Sequence, residues 1–103
     1  MCGDVYIKHF NLPYIMNIRS YINENRARFI DEWASLIRIP SVSCQPAHQD
    51  DMLRCAQRWK ELLLEAGAQY ADIMPSKGNP FVYAEYKAEG DRLPTVLVYS
   101  HYD

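Results

Sequence analysis

Apolar positions recur at three- and four-residue steps through the first part of the chain and at shorter steps through the last third. Ile15, Ile18, Ile22, Phe29, Ile30, Trp33, Leu36 and Ile37 fall on one side of a helix of about five or six turns. Pro40 ends it, because the residue before a proline avoids the helical region. Ser41-Val42-Ser43-Cys44-Gln45-Pro46-Ala47 then reads as a loop, being small, polar and interrupted by proline. A second helix is expected from Asp50 or Asp51, whose side chains suit the free amides of a helix N-terminus. Leu53, Ala56, Trp59, Leu62, Leu63 and Ala66 form its apolar face, and Gly67 stands where a left-handed cap is wanted.

Beyond Gly67, β-branched and aromatic residues gather in three runs, 70–74, 81–86 and 95–100, each expected to be a strand. Ser76-Lys77-Gly78-Asn79-Pro80 separates the first two. Ala88-Glu89-Gly90-Asp91 separates the last two and is short enough for an antiparallel hairpin. Thr95-Val96-Leu97-Val98-Tyr99-Ser100 is apolar without alternation, the mark of a strand covered on both faces at the centre of an α/β sheet. Two helices followed by three strands, with the most buried-looking strand last, imply that another chain or further sequence supplies that strand's neighbour. Residues 1–14 hold no period, Pro13 closes them, and they read as an N-terminal extension to a domain covering 15–103.

Composition narrows the function classes. The chain has 103 residues, 49% hydrophobic and 23% charged, with a formal charge of -2. That is the balance of one globular domain with a thin core. Its charges of both signs are interspersed, against a nucleic-acid surface. No apolar stretch approaches the roughly 20 residues that span a bilayer, and the N-terminus lacks the pattern of a secretory signal, so the cytoplasm is the expected location. Cys2, Cys44 and Cys55 match neither a disulfide framework nor a zinc knuckle and read as free thiols. Trp33 and Trp59 are expected in the core. His48 beside Asp50 and Asp51 has no zinc spacing, and helix capping accounts for the two aspartates. No nucleophile–base pair, phosphate loop or paired-carboxylate motif marks an independent enzyme.

One constellation carries chemistry. His101-Tyr102-Asp103 comes directly after the apolar run, and in open α/β sheets ligands bind beyond the carboxyl ends of strands. In extended chain residues 101 and 103 point the same way. His101 is then placed to ligate a metal through one ring nitrogen while Asp103 accepts from the other, fixing the tautomer.

Two stretches, Leu36-Ile37-Arg38-Ile39-Pro40-Ser41-Val42-Ser43 and Val96-Leu97-Val98-Tyr99-Ser100-His101-Tyr102-Asp103, resemble metallopeptidase family twenty, the zinc peptidases that include aminoacylase, carboxypeptidase G, peptidase T and the carnosinase-like cytosolic dipeptidases. The His-Tyr-Asp form is most similar to the dipeptidase branch. The likeness runs over residues 15–103, with the helix bearing Trp59, Leu62, Leu63, Ala66 and Gly67 where the family has its second helix. It implies the N-terminal part of a three-layer α/β catalytic domain, two helices followed by three strands of an incomplete mixed sheet. It also implies His101 as a ligand of one of two zinc ions, Asp103 as the acid that orients it, and a dipeptide or small peptide as substrate of the whole enzyme. The family's other ligands and its general-base glutamate lie downstream of this motif. The expectation is therefore a peptidase segment without activity of its own that holds zinc weakly. The rival expectation, from a different class, is a non-catalytic interaction module that pairs with another chain, a second copy included, through its exposed terminal strand.

Overall fold

In a computed structural model, which describes residues 4–6, 15–90 and 92–103, the chain combines α-helices with short antiparallel strands and is α/β in that broad sense. It divides into two compact units, Met1–Ala34 and Ser35–Asp103. Among the described residues no helix is long and apolar enough to cross a membrane.

In the first unit, strand β1 (Asp4–Tyr6) pairs antiparallel with β2 (Ile15–Asn17), Asp4 opposite Asn17 and Tyr6 opposite Ile15. The stretch read as an extension thus contributes a strand, and Ile15 belongs to a strand rather than to the first helix. Three residues are too few for alternation to register in a sequence. Helix α1 (Ile18–Glu24) starts where the Asn17 side chain accepts from the Ser20 amide at 3.2 Å, a cap at the first turn. Helix α2 covers Arg26–Ile37.

The single long helix expected here is therefore divided, and Asn25 divides it. Its side-chain amide donates to the Tyr21 carbonyl at 2.9 Å, and its backbone amide donates to the same oxygen at 3.1 Å. The Phe29 amide still donates to the Asn25 carbonyl at 3.0 Å, so the side chain adds a bond at the break without replacing the backbone ones. The apolar stripe of α2 buries no residue, and Trp33 is 65% exposed, which corrects its assignment to the core. Periodicity shows which face of a helix is apolar, not what covers it.

In the second unit, α2 ends at Ile37 ahead of Pro40, as expected. A short 3-10 turn (Pro46–His48) leads into α3 (Gln49–Glu65), then β3 (Tyr70–Met74) and β4 (Phe81–Glu85). The two strands form an antiparallel ladder from Tyr70 opposite Glu85 to Met74 opposite Phe81, and α3 packs on both.

Among the described residues, Met52, Cys55 and Ala56 of α3 and Ala71 of β3 are the buried apolar ones. Their spacing on the helix, extended by half-buried Trp59 and Leu63, defines the inward face. Leu53, expected on that face, is instead 51% exposed, because the buried stripe runs through its neighbour Met52. Lys60 ties the helix to β3 through Asp72 at 3.0 Å. Gly67 has φ +103° and the Ala68 amide donates to the Leu63 carbonyl at 2.9 Å, the left-handed helix end anticipated there.

The helix start differs from expectation. No side chain caps α3, and His48 occupies the cap position. Asp51 accepts instead from Arg54 at 2.8 Å, and its other oxygen lies 2.8 Å from His48 Nδ1. Within the first turn its charge still faces the positive end of the helix dipole.

The third strand does not form. Residues 95–100 have no regular secondary structure, and no ladder joins them to β4. The expected hairpin through 88–91 is thus absent among the described residues, residue 91 lying outside them. Past β4 the chain is held toward β3, since Lys87 N donates to Gln69 Oε1 at 2.9 Å and Gln69 Nε2 to the Lys87 carbonyl at 3.3 Å. Pro94, which has no N–H to give a ladder, then precedes the run. Val96, Leu97, Val98 and Tyr99 are 80%, 88%, 85% and 80% exposed.

This packing sets two expectations for stability. Ala56 has no accessible surface, so Ala56→Leu overpacks the α3–sheet contact and is expected to lower unfolding free energy by about 1–3 kcal/mol, measured by urea denaturation. The Asp51 carboxyl is held below its ordinary value chiefly by the hydrogen bond with His48, with the Arg54 charge acting in the same direction. A carboxyl depressed in the folded state adds stability above its unfolded value and loses it as pH falls through the folded one. Urea midpoints measured from about pH 6 down to about pH 2 should therefore drop less steeply in Asp51→Asn than in the unaltered chain.

Candidate functional site

Tight turns shape one wall of the candidate site. After α2 the chain folds on itself through Ser41 N to the Ile39 carbonyl at 2.8 Å and Val42 N to the Pro40 carbonyl at 2.9 Å. Ser41 and Ser43 are left partly buried. The Asn79 side-chain amide, from the turn between β3 and β4, donates to the Ser43 carbonyl at 3.4 Å.

The 101–103 segment docks on this wall. Ser41 Oγ donates to the Tyr102 carbonyl at 2.9 Å, and Cys55 Sγ approaches the same oxygen at 3.5 Å from α3. The Tyr102 hydroxyl donates to the Pro80 carbonyl at the start of β4. Burial, followed by the nearby Cys55 and Asp103, pushes the Tyr102 phenol up, so it keeps its proton and remains a donor at neutral pH. Ser43 Oγ donates to Asp103 Oδ2 at 2.5 Å. That bond is the main reason the Asp103 carboxyl sits below its ordinary value, with its own backbone amide next and the charge of His101 a smaller contribution.

His101 is exposed and its ring meets Tyr99 edge-on, the centroids 5.2 Å apart. Both residues singled out for metal chemistry therefore lie at the same end of the unit, on either side of half-buried Tyr102. The expected hydrogen bond between them is not formed; the serine takes the carboxylate instead. Ser41, Ser43 and Tyr102 belong to the motif stretches, yet nothing in their spacing assigns them a role. Their signal in the sequence is only that two small hydroxyl residues come after a helix-ending proline.

Beside the segment lies an open groove of about 660 Å3. Met52, Trp59, Leu63 and Val82, with the exposed run at 96–99, give it an apolar lining, and Ser43, Asn79, His101 and Asp103 add polar groups. An apolar cleft with a few convergent polar groups is the usual form of a ligand site.

A catalytic zinc takes three protein ligands and keeps a fourth position open. His101 offers one imidazole and Asp103 one carboxylate, and among the described residues no group of three or more His, Cys, Asp or Glu is assembled. The pair fits one corner of a metal centre, and the described residues do not supply the whole. Asp51 is joined to His48 through one oxygen and to Arg54 through the other, an arrangement that occupies the aspartate with a cation rather than a metal. Of the three cysteines, Cys44 is exposed and free, Cys55 is buried and free, and Cys2 lies outside the described residues. Comparison with known proteins brings no match, whether to a family model, to a curated protein or to a solved structure.

Proposed function

We propose that this chain is the N-terminal part of the catalytic domain of a cytosolic zinc-dependent dipeptidase similar to metallopeptidase family twenty, in which His101 is a zinc ligand and Asp103 its orienting carboxylate. The observation that carries the reading is the meeting of the two stretches on which the likeness rests: Ser41 and Ser43 bond to Tyr102 and Asp103 across some sixty residues of sequence. An arbitrary His-x-Asp at the end of an apolar run has no reason to be held by the loop that forms the other half of the motif.

Two zinc ions, when bound in a complete enzyme, would polarise the scissile carbonyl and acidify a bridging water. The residues of this chain do less. His101 presents an exposed imidazole, and Ser43 holds the Asp103 carboxylate in place and favours its ionised form. On this reading the other ligands and the general base belong to sequence beyond this motif, and the 103 residues by themselves are expected not to hydrolyse a peptide.

A zinc chloride titration followed through the histidine ring signals tests this. His101 is expected to respond before His48, weakly and without a stoichiometric end point, and His101→Ala to remove the response. A tight one-to-one site would overturn the inactivity, and a response confined to His48 would overturn the ligand assignment. The gene region after codon 103 offers a separate check, in which an in-frame continuation with carboxylate-rich motifs supports the reading.

A second reading has its own observation. Val96–Tyr99, the run with the strongest strand character, is the most exposed apolar stretch described. It is uncharged and free of Gly and Pro, the composition of a segment that pairs with another strand. On this reading two copies associate antiparallel through residues 95–100 without catalysis. Sedimentation velocity is then expected to show a concentration-dependent dimer, lost in Val98→Lys; a monomer at every concentration would remove the reading.

A further inference from the structure

The structure assigns to Tyr102 the part of a positioning residue, one that turns His101 and Asp103 together toward the open groove; the inference rests on the zinc-ligand reading of those two side chains. Three parts of the unit converge on this residue. The loop after α2 reaches its carbonyl through Ser41, α3 reaches the same carbonyl through Cys55, and the start of β4 receives its hydroxyl at Pro80. Of the last eight residues it alone is half-buried, while both neighbours stay exposed.

The reorientation comes from strand-like alternation. Residues 101, 102 and 103 are exposed, half-buried and exposed in turn, the pattern of side chains taking opposite sides, so a side chain held inward at 102 leaves 101 and 103 outward together. The chain before it has no ladder to fix its rotation: residues 95–100 are free of regular structure. Rotation at 101–103 is thus set by Tyr102 and its partners, with Ser43 completing the arrangement at Asp103 Oδ2. Phenylalanine at this position keeps the ring and loses the tie to Pro80. A small residue loses both.

The experiment compares the unaltered chain with Tyr102→Phe and Tyr102→Ala by NMR, first without metal and then with cobalt(II) chloride as probe. Without metal, the unaltered chain is expected to show a contact between the Ser43 and Asp103 β-protons and a ring-current shift of His101 from Tyr99. Both weaken in Tyr102→Phe and vanish in Tyr102→Ala, while the α3 and β3–β4 amides keep their positions. With cobalt, His101 and Asp103 broaden at one shared midpoint in the unaltered chain. In Tyr102→Phe the midpoint moves to about two- to tenfold higher cobalt, the worth of one hydrogen bond, and in Tyr102→Ala the two side chains broaden independently. Retention of the Ser43–Asp103 contact and the His101 shift in Tyr102→Ala would overturn the proposal. Loss of those metal-free signals in the variants, with no cobalt response in the unaltered chain, would uphold the positioning role and overturn the zinc-ligand reading instead.

Discussion

Ala56 has no accessible surface, and the close approach that its single methyl group allows between α3 and the β3–β4 ladder is the contact on which the rest of the second unit depends. Four apolar residues make up the buried set among the described residues. A core this small gains little from burial, and small domains bury a lesser share of their surface than large ones. Polar ties therefore take a visible part in holding the elements together: Lys60 to Asp72 at the helix–strand boundary, Arg58 to Ser35, and the Gln69 side chain bridging both backbone groups of Lys87. Each is at least partly exposed, so each adds modestly, and together they fix register more than they add stability.

The same helix positions the candidate site. Met52 and Cys55 point to the interior from the first turns of α3, and Cys55 extends the core outward to the Tyr102 carbonyl. The 101–103 segment is thus seated at the end of the core rather than on an independent loop. Its location is inherited from the packing of α3, and its rotation from Tyr102 together with the serines of the preceding loop. A sequence change in the α3 core would therefore be felt at His101 and Asp103 without touching either.

Much of the second unit is legible in the residues. Helix α3, strands β3 and β4, the loop ending at Pro40 and the left-handed Gly67 each have a local cause: apolar periodicity, β-branched runs, a missing amide or a residue without Cβ. Pattern misleads where the cause is a competition between two local options or a partner outside the element. A well-patterned helix is divided at Asn25, whose side chain adds a second bond to the Tyr21 carbonyl beside the backbone one. Asp51 prefers a histidine and an arginine to the helix amides. Trp33 and Leu53 lie on apolar stripes, yet a stripe specifies no cover. At the site, His101 and Asp103 are visible as chemistry, whereas the hydroxyl groups that hold the segment are not, since a serine some sixty residues away leaves no trace in local spacing.

Residues 95–100 show the largest distance between pattern and structure, and the energetics explain why that distance matters. Complete burial of a valine or leucine side chain is worth about 1.5–3 kcal/mol, so Val96, Leu97 and Val98 together represent roughly 5–9 kcal/mol of burial that the second unit does not obtain. The net stability of a whole domain is about 5–15 kcal/mol. Any surface that covers this run therefore gains an amount comparable to the stability of the unit itself. Both readings draw on that one quantity: the peptidase reading covers the run within a complete sheet, and the interaction reading covers it with a second copy. They part at the far end of the run. Within a sheet, ladder bonds would fix the strand's rotation and deliver His101 to a metal centre. Between two copies the same rotation would be taken up by pairing, and the serine and tyrosine ties at 101–103 would have no consequence for the run. Those ties are formed in the free chain, with Ser43 already on Asp103, and this favours the reading in which the presentation of His101 and Asp103 is what the segment is for.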